Sequence, residues 1–175
     1  MSTTTALPTG TWTYDPAHSS IGFSVKHSGI ATFRGTFDDV TAEVRDGVLT
    51  GTAKTASVNV PVEQLKGHLL APDFFDAEAH PEITFTATDL NVDGETLTAR
   101  GKLTLKGVTK DIEATGTFNG PVEYLAGPER IAIALQTVVN RHDYGVSWNA
   151  DLPGGGKAVG DDVTITVDLQ FTAAA

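Results

Sequence analysis

Leu97-Thr98-Ala99-Arg100-Gly101-Lys102-Leu103-Thr104-Leu105 alternates apolar or small residues with polar ones at every step. Val163-Thr164-Ile165-Thr166-Val167-Asp168-Leu169-Gln170-Phe171 does the same. A period of two puts one residue set on each face of a strand, so one face is dry and the other wet. That pattern belongs to an antiparallel sheet curled around its own interior, and such a sheet can close into a barrel.

Neighbouring segments extend the pattern. Ile21, Phe23, Val25 and His27 share a face, as do Phe33, Gly35 and Phe37. The parity then changes to Val40, Ala42 and Val44, which predicts a bend near Asp38-Asp39. Further one-faced strands are read at Val48–Val60, Ile83–Val92, Ile112–Phe118 and Ile131–Val139, with turn signals at Asp46-Gly47, Asp93-Gly94 and Lys106-Gly107. Pro61–Leu70 breaks the period: Val62, Leu65 and Leu69 recur at helical spacing behind a proline suited to a first turn. The expected fold is all-β, an antiparallel barrel of eight or nine strands with a short helical insertion, or a sandwich of the same strands. Residues 1–10 read as a disordered leader and 11–175 as a single domain.

The chain has 175 residues, 40 % hydrophobic, with a formal net charge of −10 and no cysteine. The charge disfavours nucleic acid and anionic membrane surfaces. Absence of cysteine removes disulfides and thiolate chemistry. No apolar run approaches the ~20 residues of a membrane helix. The start, Met1-Ser2-Thr3-Thr4-Thr5, lacks the basic and apolar parts of a secretory signal, so a cytoplasmic location is expected.

The expected inner face mixes large apolar residues with Ala53, Ala87, Ala99, Gly101, Ala114 and Gly116. Small residues inside a barrel leave volume, which a ligand or the helical insertion fills; periodicity does not choose between them. Nothing on that face is charged, so a guest would be long and apolar. At ~0.8 kcal/mol per methylene, a five-carbon isoprene unit contributes up to roughly 3–4 kcal/mol. Such a pocket selects on tail more than on head group.

Four local strings add to this reading: Trp12-Thr13-Tyr14-Asp15-Pro16-Ala17-His18-Ser19; Gly67-His68-Leu69 followed by Asp73-Phe74-Phe75-Asp76; Leu103-Thr104-Leu105-Lys106-Gly107-Val108; and Asn140-Arg141-His142-Asp143-Tyr144-Gly145 with Trp148 just after. In this order and at these intervals the chain resembles the YceI-like family of lipocalin-like polyisoprenoid-binding proteins, from about Gly10 to Phe171. The resemblance implies an extended eight-stranded barrel that binds isoprenoid quinones or related amphiphiles without catalysis. The family's usual Arg-Asp pair before the histidine and serine after it are replaced here by Leu65, Lys66 and Ala71. That removes polar contacts near the helix.

Other chemistries find less support. His18, His27, His68, His80 and His142 are scattered, with no metal-ligand spacing, so neither a metal nor a cofactor is implied. His27 shares an apolar face and reads as a core histidine. His18, beside Asp15, reads as a turn-stabilising hydrogen bond. Arg141 and Asp143, two apart at a strand end, share a face and read as members of structural ion pairs, with a ligand clamp as the alternative. Pro153–Ala158 fails the phosphate-loop pattern, since Asp151 and Ala158 occupy its first glycine and its Ser/Thr position.

The expected ligand-binding residues are Phe23, Val25, Phe37, Phe85, Leu103, Leu105, Ile133 and Leu135, with Phe74, Phe75 and Trp148 at a lid or mouth. The expected function is carriage or sequestration of a polyisoprenoid, a quinone-like molecule or a similar amphiphile, without stable membrane insertion; a homodimer is compatible with it. Two rival readings stand beside it. One is a packed barrel acting in stress response or interaction without a lipid. The other is an enzyme using His18, His27 or His142 on a bound amphiphile.

Overall fold

The structure, a computed structural model, describes residues 4–174. Every strand pairing in it is antiparallel, and eight long strands close into one barrel. Three of the eight are broken in the middle. The first consists of β2 (Thr11–Tyr14) and β3 (Ser20–His27), interrupted by a short 3-10 turn at Pro16–His18. The second consists of β4 (Ala31–Phe37) and β5 (Val40–Arg45), which meet at the expected bend at Asp38-Asp39. The third is β6 (Val48–Lys54) and β7 (Val58–Asn59). The sequence pattern had these last two as one strand, but a 3-10 turn at Thr55–Ser57 divides them. Unbroken strands follow: β8 (Glu82–Asp93), β9 (Thr96–Leu105), β10 (Val108–Glu123), β11 (Glu129–Asn140) and β12 (Val159–Ala173). Each pairs with the next in the chain, and β12 closes the ring on β2 and β3. A two-residue strand, β1 (Thr4–Thr5), adds to β8.

Turn chemistry fixes the register. Asp46-Gly47 and Lys106-Gly107 hold positive φ at both positions, the geometry of a two-residue type I′ hairpin. This up-and-down order sends the two long connections to the same end of the barrel. One carries helix α1 (Glu63–Leu70) between β7 and β8; the other spans 141–158 between β11 and β12. We call this end the mouth. Lys106, in its tight turn, ties the two connections together by donating from Nζ to Pro72 O at 2.7 Å and to Gly145 O at 3.2 Å.

The opposite end is packed shut. Leu7, Trp12, Val44, Leu49, Leu97, Ile131, Ile133 and Phe171 form one buried cluster there. Leu7 belongs to the segment expected as a disordered leader. Residues 1–3 lie outside the described residues, but from Thr4 onward the chain pairs with β8 and seats Leu7 in the core. A single apolar residue in a threonine-rich stretch gives no period to read, which is why the pattern missed it.

Two of the small inner residues have a different cause from the expected one. A Cβ on Gly101 would lie 2.1 Å from Thr86 O, and one on Gly116 would lie 1.8 Å from Ala134 O. These glycines admit a neighbouring backbone rather than leave a void. Gly101 faces the β8 bulge between Ala87 and Asp89, where the sheet coils sharply. Ala87 and Ala99 are wholly buried in the closed-end cluster.

Candidate functional site

A cavity of about 180 Å³ lies inside the barrel between the closed end and the mouth. At about 30 Å³ per water in the liquid, it is the size of roughly six waters, a little larger than a cavity that holds benzene. Six of the eight expected ligand-binding residues form its wall: Phe23, Phe37, Phe85, Leu103, Leu105 and Leu135. Two do not. Ile133 lies deeper, fully buried and paired with Phe118 and Leu169 in the closed-end core. Val25 is paired in the sheet with Phe33 and Val163 but is not itself part of the wall. Of the six small residues, Ala53 and Ala114 reach the cavity.

The wall also holds residues that were not expected. Val163, Ile165, Val167 and Leu169 come from the last strand, whose period-two run was plain in the sequence. A second unexpected group is Arg141. The inner face was expected to carry no charge, yet this guanidinium is 3 % exposed and forms part of the wall. Nor does it join the expected ion pair with a neighbour. Its Nε donates to Gly160 O at 2.7 Å and its Nη1 to Val146 O at 2.6 Å and Trp148 O at 2.9 Å. Its Nη2 reaches Val159 O at 3.3 Å. Burial pushes its pKa down, against a smaller upward pull from Asp161. The sequence pattern placed Arg141 and Asp143 on one face of a strand end. The chain instead turns there into a 3-10 corner, Arg141–Tyr144, which buries Arg141 and leaves Asp143 outside.

Aromatic rings build the mouth. Phe75, on the turn after α1, sits 6.2 Å from Phe23 and 5.9 Å from Phe37 by ring centroids, and Phe23 is 6.3 Å from Phe33. Phe75 is part of the cavity wall; Phe74 and Trp148 are not. They form a second cluster with His68, whose ring lies 4.8 Å from each of theirs. This cluster joins the α1 connection to the 141–158 connection. Leu65, at one of the departing positions, packs into this apolar cluster, and polar contacts at the joint include the 3.4 Å His68–Asp73 pair and the bonds of Lys106.

The histidines fall outside the cavity wall. His18 Nδ1 bonds Asp15 at 2.8 Å, as the turn reading expected. His27 is exposed at the rim, not in the core, because it ends β3. His142 Nδ1 meets Ser147 Oγ at 2.9 Å and its Nε2 meets Asp161 at 2.7 Å. All three are exposed to water. A hydrolytic serine works in a water-excluded site with oxyanion donors. Here the set pins the 141–148 corner onto β12. Among the described residues, no three His, Asp or Glu side chains converge as metal ligands, and no helix is long and apolar enough to cross a membrane.

Comparison with known proteins agrees with this geometry. The YceI-like domain matches residues 12–171. The UPF0312 protein SAS2572 of Staphylococcus aureus is 28 % identical over 172 residues, covering 92 % of this chain and 96 % of its own. Among solved structures, the Campylobacter jejuni YCEI protein is 29 % identical with a TM-score of 0.72, covering 92 % of this chain and 96 % of its own. BcnA of Burkholderia cenocepacia, at 23 % identity and a TM-score of 0.75, covers 90 % and 98 %. A polyisoprenoid binding domain from Saccharophagus degradans, at 17 % and 0.70, covers 93 % and 98 %; these two share the fold.

Proposed function

The chain belongs to the YceI-like domain family, and from that premise we propose that its barrel binds the tail of an isoprenoid or similar amphiphile and acts as a carrier or store rather than a catalyst. The observation that carries this reading is the cavity, whose wall is almost wholly apolar and which sits beneath a mouth built of aromatic rings. The polyisoprenoid binding domain from Saccharophagus degradans supplies the first ligand class to try. Phe75 serves as the movable cover, because it rides on a turn beyond a short helix rather than on a strand.

Cavity size sets an expectation for the tail. A methylene is close to a water in size, so the space as it stands takes about six carbons, roughly one isoprene unit. At ~0.8 kcal/mol each, affinity rises about fourfold per added carbon until the wall is filled. Longer tails gain nothing further unless the mouth opens around them.

The test is native mass spectrometry of gently purified protein, followed by titration with straight-chain alcohols from four to twenty carbons. A co-purified isoprenoid, or affinity that climbs with tail length until the wall is filled, supports the reading. A bare protein that refuses alcohols, quinones and polyprenols alike overturns it.

A further inference from the structure

Arg141 is a buried cation with an incomplete set of partners. A guanidinium has five N–H groups. Four are taken by the carbonyls of Gly160, Val146, Trp148 and Val159, one on Nε, two on Nη1 and one on Nη2. One N–H of Nη2 remains. No carboxylate forms a salt bridge with Arg141 among the described residues. The acid that acts on it, Asp161, is exposed and already bonded to His142. Buried charges are ordinarily paired, since desolvation of a lone one is costly. Tying β11 to the 141–158 connection explains the four bonds, but neutral donors would do that as well. It explains neither the charge nor the fifth N–H.

The location supplies the missing part. Arg141 stands in the wall of an otherwise apolar cavity, at the mouth end of β11. The Tyr144 hydroxyl, on the same 3-10 corner, is also buried without a partner. We propose that Arg141 is the head-group anchor of this cavity, and that the preferred ligand is an amphiphile with an anionic oxygen head, a carboxylate in the simplest case. The head lies toward the mouth, against Arg141, and the tail runs toward Leu49 and Leu169 at the closed end. Selection by tail alone, expected from an uncharged inner face, gives way to selection by both ends of the ligand. This inference rests on the carrier reading above.

The field of the whole protein makes the test sharp. A net charge of −10 repels anions and attracts cations, so a preference for an acid reports a local site and not the overall field. Dodecanoate, dodecanol and dodecylammonium share one tail and differ at the head. They are titrated calorimetrically into the wild-type protein below their micellar concentrations. Dodecanoate is expected to bind at least tenfold more tightly than dodecylammonium, with dodecanol between them. Equal affinities, or a tighter amine, overturn the anchor and leave the carrier reading intact. Failure of all three overturns both. Nitrogen-15 NMR of the arginine side chains locates the head without any substitution. The Nε–H resonance of Arg141 shifts with dodecanoate and stays in place with dodecane; a shift with neither places the head elsewhere and overturns the anchor.

Discussion

The two ends of this barrel are made from the same strands and have opposite characters. At the closed end, side chains from several strands interdigitate: Phe171 meets Tyr14 at 6.3 Å between ring centroids, and Leu97, Ile131 and Ile133 are almost wholly buried. At the mouth, the same strands carry Phe23, Leu103 and Ile165 around unfilled space, and two long connections complete the enclosure. The contrast teaches where each end gets its order. One end is held by close packing of strand residues, whose loss costs stability directly. The other is held by tethers: Lys106 to two carbonyls, Arg141 to four, His68 between two rings. An end held by tethers can open without unfolding the barrel.

Substitutions at the two ends separate these roles. Phe171→Ala leaves a hole in the packed end and is expected to cost about 3–5 kcal/mol in chemical denaturation. A loss below 1 kcal/mol would show that this end is not the stable one. Leu103→Trp, in the cavity wall, is expected to abolish uptake of a twelve-carbon alcohol while the circular dichroism spectrum stays that of the wild type. Unaltered uptake by the folded variant removes Leu103 from the binding surface. Phe75→Ala is expected to cost only about 1–2 kcal/mol, because its ring is only partly buried, and to speed both ligand entry and release in stopped-flow fluorescence. Unchanged rates would assign the cover to another residue.

The smallest expected effect is at Asp15, which lies at the break between β2 and β3. Its carboxylate accepts from His18 at 2.8 Å and from Arg130 at 2.9 Å. The His18 bond first, then the Ala17 N–H and the charges of His18 and Arg130, hold its pKa below the usual carboxylate value. A lowered folded-state pKa means that the unfolded chain takes up the proton first as pH falls. The stabilisation is therefore complete above about pH 4 and is lost as pH drops through the folded value. Asp15→Asn is expected to cost about 1–2 kcal/mol at pH 7. The difference from wild type is expected to shrink in denaturation curves as pH falls below about 4. A gap that does not shrink would assign the loss to packing and not to charge.

The barrel was legible because its cause is local. Alternation in Leu97–Leu105 and Val163–Phe171 fixes faces, Asp46-Gly47 and Lys106-Gly107 fix turns, and the parity change at Asp38-Asp39 marks the bend. Most of the wall followed from the same faces. Features that depend on three dimensions did not follow. Ile133 has the parity of a wall residue, but how far along the barrel axis it lies depends on strand stagger, which alternation does not encode. Gly116 looked like a void and is a point of backbone contact. Arg141 read first as one of an ion pair on a strand end, because a polar residue after Asn140 gives no sign that the strand ends there and a 3-10 corner turns Arg141 and Tyr144 inward. The chain from Thr4 to Gly10 gave only Leu7 as an apolar signal, and its place is set by β8 and the core, not by its own sequence.

Ala174 N donates to Thr11 O at 3.0 Å and Thr4 pairs with Asp93, so the first and last described residues both lie at the packed end. Whatever is fused to, or immobilised through, either terminus therefore attaches opposite the aromatic rings. A bead, a reporter domain or a second barrel joined there leaves the entrance pointing outward. The same placement makes the barrel a candidate for circular permutation, with a linker carried across the packed end and new ends cut at Asp46-Gly47, far from the ligand's route.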